Sequence, residues 1–247
     1  ARVVAARAGA EGAERLLVAL ADGQTVEGVL LPRDGLCVSS QVGCAVGCQF
    51  CMTGRDGLMR QVGSAEIIAQ VALARMRRPV RKVVFMGMGE PAHNMDNVLE
   101  AIELLGTVGN VGHKNLVFST VGDPRVFERL LQERVRPALA LSLHTTKAEL
   151  RRKLLPRAPN MTPEELVAEG ECYARATGYP IQYQWTVYAP YWALLAAMPR
   201  ISVAARLAEM KASPVIQAGS ERPERKKSRL VFTDLRAAKP MPRTTAK

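Results

Sequence analysis

Short apolar runs rich in Val, Phe, Ile and Leu alternate along the chain with segments of helical pattern. Near the N-terminus, the apolar runs "RLLVAL" and "TVEGVLLP" flank the turn sequence "ADGQ", and this arrangement predicts a β-hairpin. The extended segment "GLCVSSQVG" follows the hairpin and leads into a loop that carries several cysteines. The N-terminal part is therefore predicted to be a hairpin followed by a first core strand.

Strands and helices then follow one another in a regular order. The predicted strands are "KVVFMGMGE", "KNLVFSTVG", "PALALSLH" and "PIQYQWTV". The helices between them are predicted at 64–78 with Ser64 as N-cap, in "NMDNVLEAIELLGTVG" and "DPRVFERLLQE", and at 162–178 between the cap Thr162 and Gly178. Because near-continuous apolar strands alternate with helices, we expect an α/β fold with a parallel sheet wound into part of a (β/α) barrel.

The pattern changes after about residue 187. Beyond this point the chain offers one weak strand candidate, "SPVIQAG", and a basic tail around one short apolar run. We therefore divide the chain into an N-terminal extension with the hairpin (1–36), a core (37–190) and a divergent C-terminal segment (191–247) with a flexible basic tail. The barrel is expected to lack its last unit or units.

The charge of the chain is strongly positive. Its 247 residues carry a formal net charge of +11. This excess is consistent with a solvated basic surface, and equally with a polyanionic partner whose phosphates are neutralised by Lys and Arg. No apolar run is long enough to span a membrane, and the N-terminal residues lack the apolar core of a signal peptide. We expect a cytoplasmic protein that does not act at a membrane.

Three of the five cysteines, Cys44, Cys48 and Cys51, lie in "GCAVGCQFC". Their odd total number, their clustering and the missing secretory signal favour metal ligation over disulfides. The spacing C-x3-C-x2-C lacks the second pair that zinc sites usually have, whereas three thiolates on one loop suit a [4Fe–4S] cluster with one open iron. A four-cysteine zinc site that recruits Cys37, and inert buried cysteines, are the alternatives.

The cysteine motif, with Phe50 before its last cysteine, resembles that of the radical S-adenosylmethionine (SAM) superfamily. Four segments in order, "LPRDGLCVSSQVGCAVGCQFCMTG", "VVFMGMGEPAHNMDNV", "FSTVGD" and "LSLHTTKAELRRKLLPR", resemble the RlmN/Cfr family of RNA methyltransferases. The resemblance extends from about residue 12 to about residue 187. It implies a partial barrel of the radical SAM type that methylates an adenine ring carbon, C2 rather than C8, in 23S rRNA, tRNA or both.

The resemblance also implies roles for individual residues. Cys44, Cys48 and Cys51 match the ligands of a [4Fe–4S] cluster whose open iron chelates SAM. Further SAM contacts are matched by Gly89, Glu90, Ser119, Ser142, Leu143 and His144. Glu27 matches the proton acceptor of the family, and Cys37 matches the cysteine that resolves a protein–RNA crosslink. We expect a basic surface to favour the thiolate of Cys37.

In the family, one SAM first methylates a cysteine on a C-terminal loop, and a second SAM supplies the radical that activates this methyl group. No cysteine follows Cys172 in this sequence, and no segment resembles the family's "CGQL" or "NLIPYN". Three hypotheses therefore stay open: an RNA methyltransferase with doubtful activity, a degenerate homologue that binds only cluster and SAM, and a non-enzymatic zinc- and RNA-binding module. The methyltransferase hypothesis implies a monomer that receives electrons from flavodoxin or ferredoxin.

Overall fold

The computed structural model describes residues 1–186 and 229–233, and within them a nine-stranded sheet forms the centre of the fold. The strands are β1 (Arg2–Ala8), β2 (Glu14–Ala19), β3 (Thr25–Leu31), β4 (Gly35–Cys37), β5 (Gln41–Gly43), β6 (Leu58–Gln61), β7 (Lys82–Phe85), β8 (Leu116–Thr120), β9 (Ala138–Ser142), β10 (Gln182–Thr186) and β11 (Arg229–Thr233). The α-helices are α1 (Ser64–Arg75), α2 (Met95–Gly106), α3 (Pro124–Gln132), α4 (Ala148–Leu154) and α5 (Pro163–Thr177). Short 3₁₀ helices lie at Ala10–Gly12, Pro91–Asn94 and His113–Asn115.

The large sheet has the order β1-β2-β3-β4-β7-β8-β9-β10-β11, and β5 pairs separately with β6. Strands β1 to β4 are antiparallel neighbours, whereas β4 and β7 to β11 are parallel. This succession of parallel strands with intervening helices confirms the predicted partial (β/α) barrel. In the described part of the chain, no helix combines the length and the apolar character needed to cross a membrane.

The predicted N-terminal hairpin is confirmed as β2 and β3. Its alternating pattern buries Leu16 and Val18 on β2 and Val26 and Leu30 on β3 against the helical layer. The structure adds β1 at the outer edge, which the sequence analysis did not predict because most of its residues are exposed and lack a clear apolar alternation.

The parallel strands have two apolar faces. One face packs against the helices through residues such as Phe85 and Phe118 in the main core. The opposite face forms a smaller cluster, the barrel-interior cluster, whose buried members include Val84, Val117 and Ala140. Burial on both faces explains why these strands are nearly continuous apolar runs.

The C-terminal prediction needs a correction. The short apolar run of the basic tail is strand β11, which pairs in parallel with β10 from Gln182↔Arg229 to Thr186↔Thr233. An apolar run can pair with the open edge of a parallel sheet when the preceding chain is long enough for a crossover. The parallel part of the sheet is therefore one strand wider than predicted. The strand candidate "SPVIQAG" lies outside the described residues. The predicted domain boundaries at 36 and 190 stay predictions.

The N-terminal caps of α5 and α1 differ in their agreement with the sequence-based expectation. For α5 the prediction is confirmed, because Glu165 N donates to Thr162 Oγ1, Thr162 N donates back to Glu165, and Gly178 has a φ of 73°. For α1 the prediction that Ser64 is the N-cap was wrong. The cap is Gly63, whose N–H donates to the Glu66 carboxylate at 3.0 Å, so the acidic residue satisfies the helix end and Ser64 becomes the first helical residue.

Candidate active site

The cysteine-bearing loop between β5 and β6, residues 44–57, is closed by backbone contacts. Cys44 N donates to Gly57 O at 2.9 Å, and Gln49 N donates to Leu154 O at 2.9 Å at the end of α4. Gly47 has a φ of 67°, and a methyl group there would come within 2.8 Å of Arg157 Nη2. Glycine suits this position, since the backbone is left-handed and the Arg157 guanidinium lies against it.

The three cysteines of this loop differ in their exposure to solvent. Cys44 is buried, Cys48 is half-buried and Cys51 is exposed. Burial raises the pKa of the Cys48 thiol to about 12, and the neighbouring thiols of Cys51 and Cys44 raise it further. The three sulfur atoms therefore lie within electrostatic range of one another. In the described residues, no three His, Cys, Asp or Glu side chains form a set that could hold a single metal ion.

Cys37 lies away from this loop. It ends β4 and packs in the barrel-interior cluster with Val84 and Val117, whereas Cys44 packs in a separate cluster with Val46 and Leu155. The structure therefore does not join Cys37 to the loop cysteines, as the four-cysteine zinc hypothesis requires. The expectation of a Cys37 thiolate was also wrong, because burial raises its pKa to about 12.

Glu90 is a buried carboxylate at the carboxyl end of β7. Its two oxygens accept hydrogen bonds from Ala92 N at 3.1 Å and from Val121 N at 3.0 Å. Burial raises the pKa of Glu90 to about 7, although these backbone donors oppose the shift. The carboxylate also raises the pKa values of Cys44 and Cys48, which places it in electrostatic range of the cysteine loop.

Gly89 allows the loop after β7 to approach β5 closely. It has a φ of 104°, and a methyl group there would lie 2.6 Å from Gln41 Cβ. The side chain of Gln41 in turn accepts a hydrogen bond from Glu90 N at 2.8 Å. The predicted pair Gly89 and Glu90 is thus held next to the segment that leads into the cysteine loop.

Ser119 and Ser142 meet at the carboxyl ends of β8 and β9 through a residue that the sequence analysis missed. Ser119 Oγ donates to Gln184 Oε1 at 2.9 Å, and Ser142 Oγ donates to the same oxygen at 3.0 Å. Gln184 Nε2 contacts Met86 Sδ at 3.1 Å. Gln184 therefore joins side chains from the ends of β7, β8 and β9. The available signal was weak, because β10 also contains Gln182 and Thr186 and its pattern does not single out Gln184.

Leu143 and His144 continue the chain after β9. Leu143 is buried, and His144 N donates to Gln184 O at 3.0 Å. The His144 ring contacts Phe50 of the cysteine loop edge-on, with the ring centroids 4.8 Å apart. Burial lowers the pKa of His144 to about 4, and the Arg151 charge contributes to this shift. His144 is therefore neutral at physiological pH and packs directly against the cysteine loop.

Glu27 lies on β3, beside the segment after β7. Its N–H contacts Met88 Sδ at 3.3 Å, its carbonyl accepts from Ser39 Oγ at 2.6 Å, and its carboxylate pairs with Arg15 at 3.8 Å. The Glu27 side chain is 39% exposed, so its carboxylate is accessible to solvent. The backbone of this strand is thus tied to the loop that carries Gly89 and Glu90.

Glu90, Ser119, Ser142 and His144 therefore lie at the carboxyl ends of the parallel strands, beside the cysteine loop, whereas Cys37 lies in a separate apolar cluster. The family model described as the radical SAM superfamily matches residues 38–168. The chain belongs to the radical SAM superfamily. The cofactors of this superfamily are a [4Fe–4S] cluster and SAM, and the three thiols of one loop beside polar strand ends suit both.

Individual relatives of this radical SAM chain are similar over most of its length. A protein of Methylibium petroleiphilum named "Probable RNA methyltransferase" is 80% identical over 177 residues, which are 72% of this chain and 50% of that protein. A protein of Aromatoleum aromaticum with the same description is 78% identical over 189 residues, or 76% of this chain and 53% of that protein. The chain thus spans about half the length of the curated relatives it matches.

A solved structure extends the similarity to the fold. The crystal structure of a radical SAM methyltransferase from Sphaerobacter thermophilus superimposes with a TM-score of 0.72 at 28% identity, covering 94% of this chain and 76% of that chain. This similarity supports the partial barrel described above.

Proposed function

We propose that this chain is the catalytic core of a radical SAM methyltransferase that acts on RNA. The target atom in this proposal is an adenine ring carbon, C2 rather than C8, in 23S rRNA, tRNA or both. The observation that carries the proposal is the convergence of the cysteine loop with Glu90 and with the Ser119–Gln184–Ser142 group at one sheet edge. The names of the curated relatives support RNA as the substrate class.

The cysteine loop is the proposed cluster site. Cys44, Cys48 and Cys51 would hold the cluster, which supplies the electron for reductive cleavage of SAM when it is bound. Two backbone hydrogen bonds, Cys44 N to Gly57 O and Cys51 N to Cys48 O at 2.9 and 3.0 Å, fold the loop that carries the three thiols. We propose flavodoxin or ferredoxin as the electron donor, with the protein acting as a cytoplasmic monomer.

The adjoining strand ends are the proposed SAM site, formed by Gly89, Glu90, Ser119, Ser142, Leu143 and His144. The Glu90 carboxylate holds the loops after β7 and β8 together through backbone N–H groups. The neutral ring of His144 closes the space between β9 and Phe50. These residues would bind and orient the ligand, because each is fixed by contacts between elements rather than within one element.

Two residues have proposed roles toward RNA. The exposed carboxylate of Glu27 would accept the proton released from the adenine ring. Cys37 would resolve the protein–RNA crosslink, although its thiol is buried and protonated before RNA binds. We therefore expect Cys37 to react slowly with an alkylating reagent until RNA is added. Equal alkylation rates with and without RNA would contradict its role.

The positive charge of the chain supports a phosphate-rich substrate. The formal net charge is +11. The exposed residue Arg55 belongs to the cysteine loop, and the exposed residue Arg157 lies next to Gly47 of this loop. Cations at the mouth of the site would attract the RNA backbone, while sequence would be read from an unstacked adenine. Binding of a tRNA or rRNA hairpin should weaken steeply as salt is increased.

A second candidate function is favoured by one observation. Residues 173–247 contain no cysteine that could match the methyl-carrying cysteine of the RlmN/Cfr family. We therefore propose that residues 1–247 by themselves bind the cluster and cleave SAM, while their transfer of a methyl group to adenine is weak. The candidate methyltransferase and this cluster- and SAM-binding homologue share the same site and differ only in the last step.

The deciding experiment starts with anaerobic reconstitution of the full chain with iron and sulfide. We expect iron and sulfide to bind in the wild type, to be lost in Cys51→Ser and to be kept in Cys172→Ser, a matched change at an exposed cysteine outside the loop. Tightly bound zinc without sulfide would instead identify a zinc- and RNA-binding module. Methylation of RNA with SAM and a reductant then separates the two candidates, and robust methyladenine would refute the weak-transfer hypothesis.

A further inference from the structure

Arg151 of α4 is a buried guanidinium at the carboxyl edge of the sheet, with only 4% of its surface exposed. Its Nη2 donates to the carbonyls of Val121 and Ser142, and its Nη1 donates to Met161 O at 3.4 Å. Val121 follows β8 and Ser142 ends β9, so one side chain joins two strand ends to α4. These acceptors are neutral carbonyls, which leave the positive charge uncompensated.

A buried arginine without an acidic partner differs from the other paired arginines of the described residues. Among the described residues, every Arg side chain in an ion pair with Asp or Glu is at least 29% exposed. Arg151 takes part in none of these pairs, and its Nε is buried without a hydrogen-bond partner. Because burial of an unpaired charge is costly, a buried guanidinium normally has an anion nearby.

The group in electrostatic range of Arg151 is Cys48, which is a protonated thiol in this structure and would become a thiolate on binding the proposed cluster. Desolvation lowers the pKa of Arg151, and the group that opposes this shift is Cys48. The end of α4 also packs on the loop, since Leu155 shares an apolar cluster with Cys44 and Val46, and Leu154 O accepts from Gln49 N. The C-terminal end of α4 thus holds Arg151 next to the cysteine loop.

We propose that Arg151 is the counter-cation of the loop thiolates and of the cluster they hold, and that its charge raises the reduction potential of this cluster. The proposal rests on the proposed cluster site. Three thiolates concentrate negative charge on one loop, and reduction adds one more electron. A buried cation in a medium of low dielectric constant stabilises the reduced state more than the oxidised state, because the reduced state carries the larger negative charge. Arg151 is a positioning and tuning residue in this role.

A purely structural role makes a different prediction. If Arg151 served only as a donor to three carbonyls, loss of its charge would lower the thermal stability and leave the potential of a folded, loaded protein unchanged. Substitution by Lys separates the two roles, because it keeps the charge and loses the planar set of donors. Arg152 provides a matched control, since it is the next residue of the same helix and is exposed.

The test is an anaerobic redox titration of the reconstituted full chain, followed by electron paramagnetic resonance of the reduced cluster. We expect Arg151→Gln and Arg151→Met to shift the midpoint potential to more negative values, Arg151→Lys to retain most of the wild-type potential, and Arg152→Gln to leave it unchanged. Thermal unfolding of each variant reports stability separately. If Arg151→Gln and Arg151→Met fail to take up iron while Arg151→Lys binds it, the positive charge at position 151 is needed for assembly of the cluster. This result would also support the proposal.

Three results would overturn it. The first is an unchanged potential in loaded Arg151→Gln, and the second is an equal shift in Arg152→Gln, which would indicate a general effect of surface charge. The third is failure of Arg151→Lys together with the uncharged variants to fold, which would assign Arg151 to a structural role. A wild-type chain that assembles no iron–sulfur cluster would refute the proposed function itself, and is distinguished from these results by its iron and sulfide content.

Discussion

Replacement of Gln184 by Leu removes the shared acceptor of two serine hydroxyls at the proposed SAM site. Ser119 Oγ and Ser142 Oγ donate to Gln184 Oε1 at 2.9 and 3.0 Å. Each serine has a single hydroxyl proton, which is occupied by this contact, so both oxygens present only lone pairs to a ligand. The ligand groups that face them should therefore be donors, such as ribose hydroxyls or an ammonium group.

The expected loss of SAM affinity in Gln184→Leu follows from the two hydrogen bonds that the substitution removes. At about 1 kcal/mol for each bond, the orientation of the two hydroxyls is worth about 2 kcal/mol, which corresponds to a roughly 30-fold weaker affinity for SAM. Equilibrium dialysis of labelled SAM against the reconstituted protein measures this change. Gln184→Glu keeps the acceptor and should retain more affinity than Gln184→Leu.

Gln182→Leu is the matched control, because it makes the same substitution two residues away on β10. An affinity loss of equal size in Gln182→Leu would show that the strand is merely disturbed. A change of less than about threefold in Gln184→Leu would refute the inferred orientation of the hydroxyls, since it corresponds to less than the energy of one hydrogen bond.

The other predictions concern stability, measured by urea unfolding. Burial lowers the pKa of His144 from 6.5 to about 4, so between these values the unfolded chain binds more protons than the folded one. Stability should therefore fall by up to about 3 kcal/mol as the pH drops through this window, and His144→Asn should remove that part of the pH dependence. Tyr173→Phe leaves the Pro137 carbonyl without its 2.7 Å hydrogen bond and should cost about 1–2 kcal/mol. Thr162→Ala removes the N-cap of α5 and should cost about 1 kcal/mol, whereas a loss near zero in either variant would contradict the assigned contact.

The order of strands and helices could be predicted from the sequence because its causes are local. Alternation of apolar residues located β2 and β3, and the Thr162–Glu165 capping box located the start of α5. The spacing of the cysteines located their loop for the same reason, since residues so close in sequence stay close in space. Ser64 was misassigned because serine is by residue type the better cap, whereas the bond from Gly63 N to the Glu66 carboxylate makes Gly63 the cap of α1.

The environment of each site residue was decided by the tertiary structure. Gln184 meets Ser119 and Ser142 from 65 and 42 residues away, which depends on the register of three parallel strands. Cys37 was expected to be a reactive thiolate, but β4 turns it into the apolar interior of the barrel. Charge and hydrogen bonding at a site depend on which groups are brought together and on how much water is removed. Local sequence patterns give neither the long-range contacts nor the degree of burial.

The contrast is sharpest for two adjacent arginines. Arg151 and Arg152 are equivalent in the sequence "AELRRKL", which shows only a basic helical segment. Packing of α4 against the ends of β8 and β9 buries the first and exposes the second. The sequence by itself determined that this chain has a cysteine loop, a strand–helix order and a basic character. Only the tertiary structure decided which of its charges lies behind that loop, because burial is a property of the packed helix face and not of the residue.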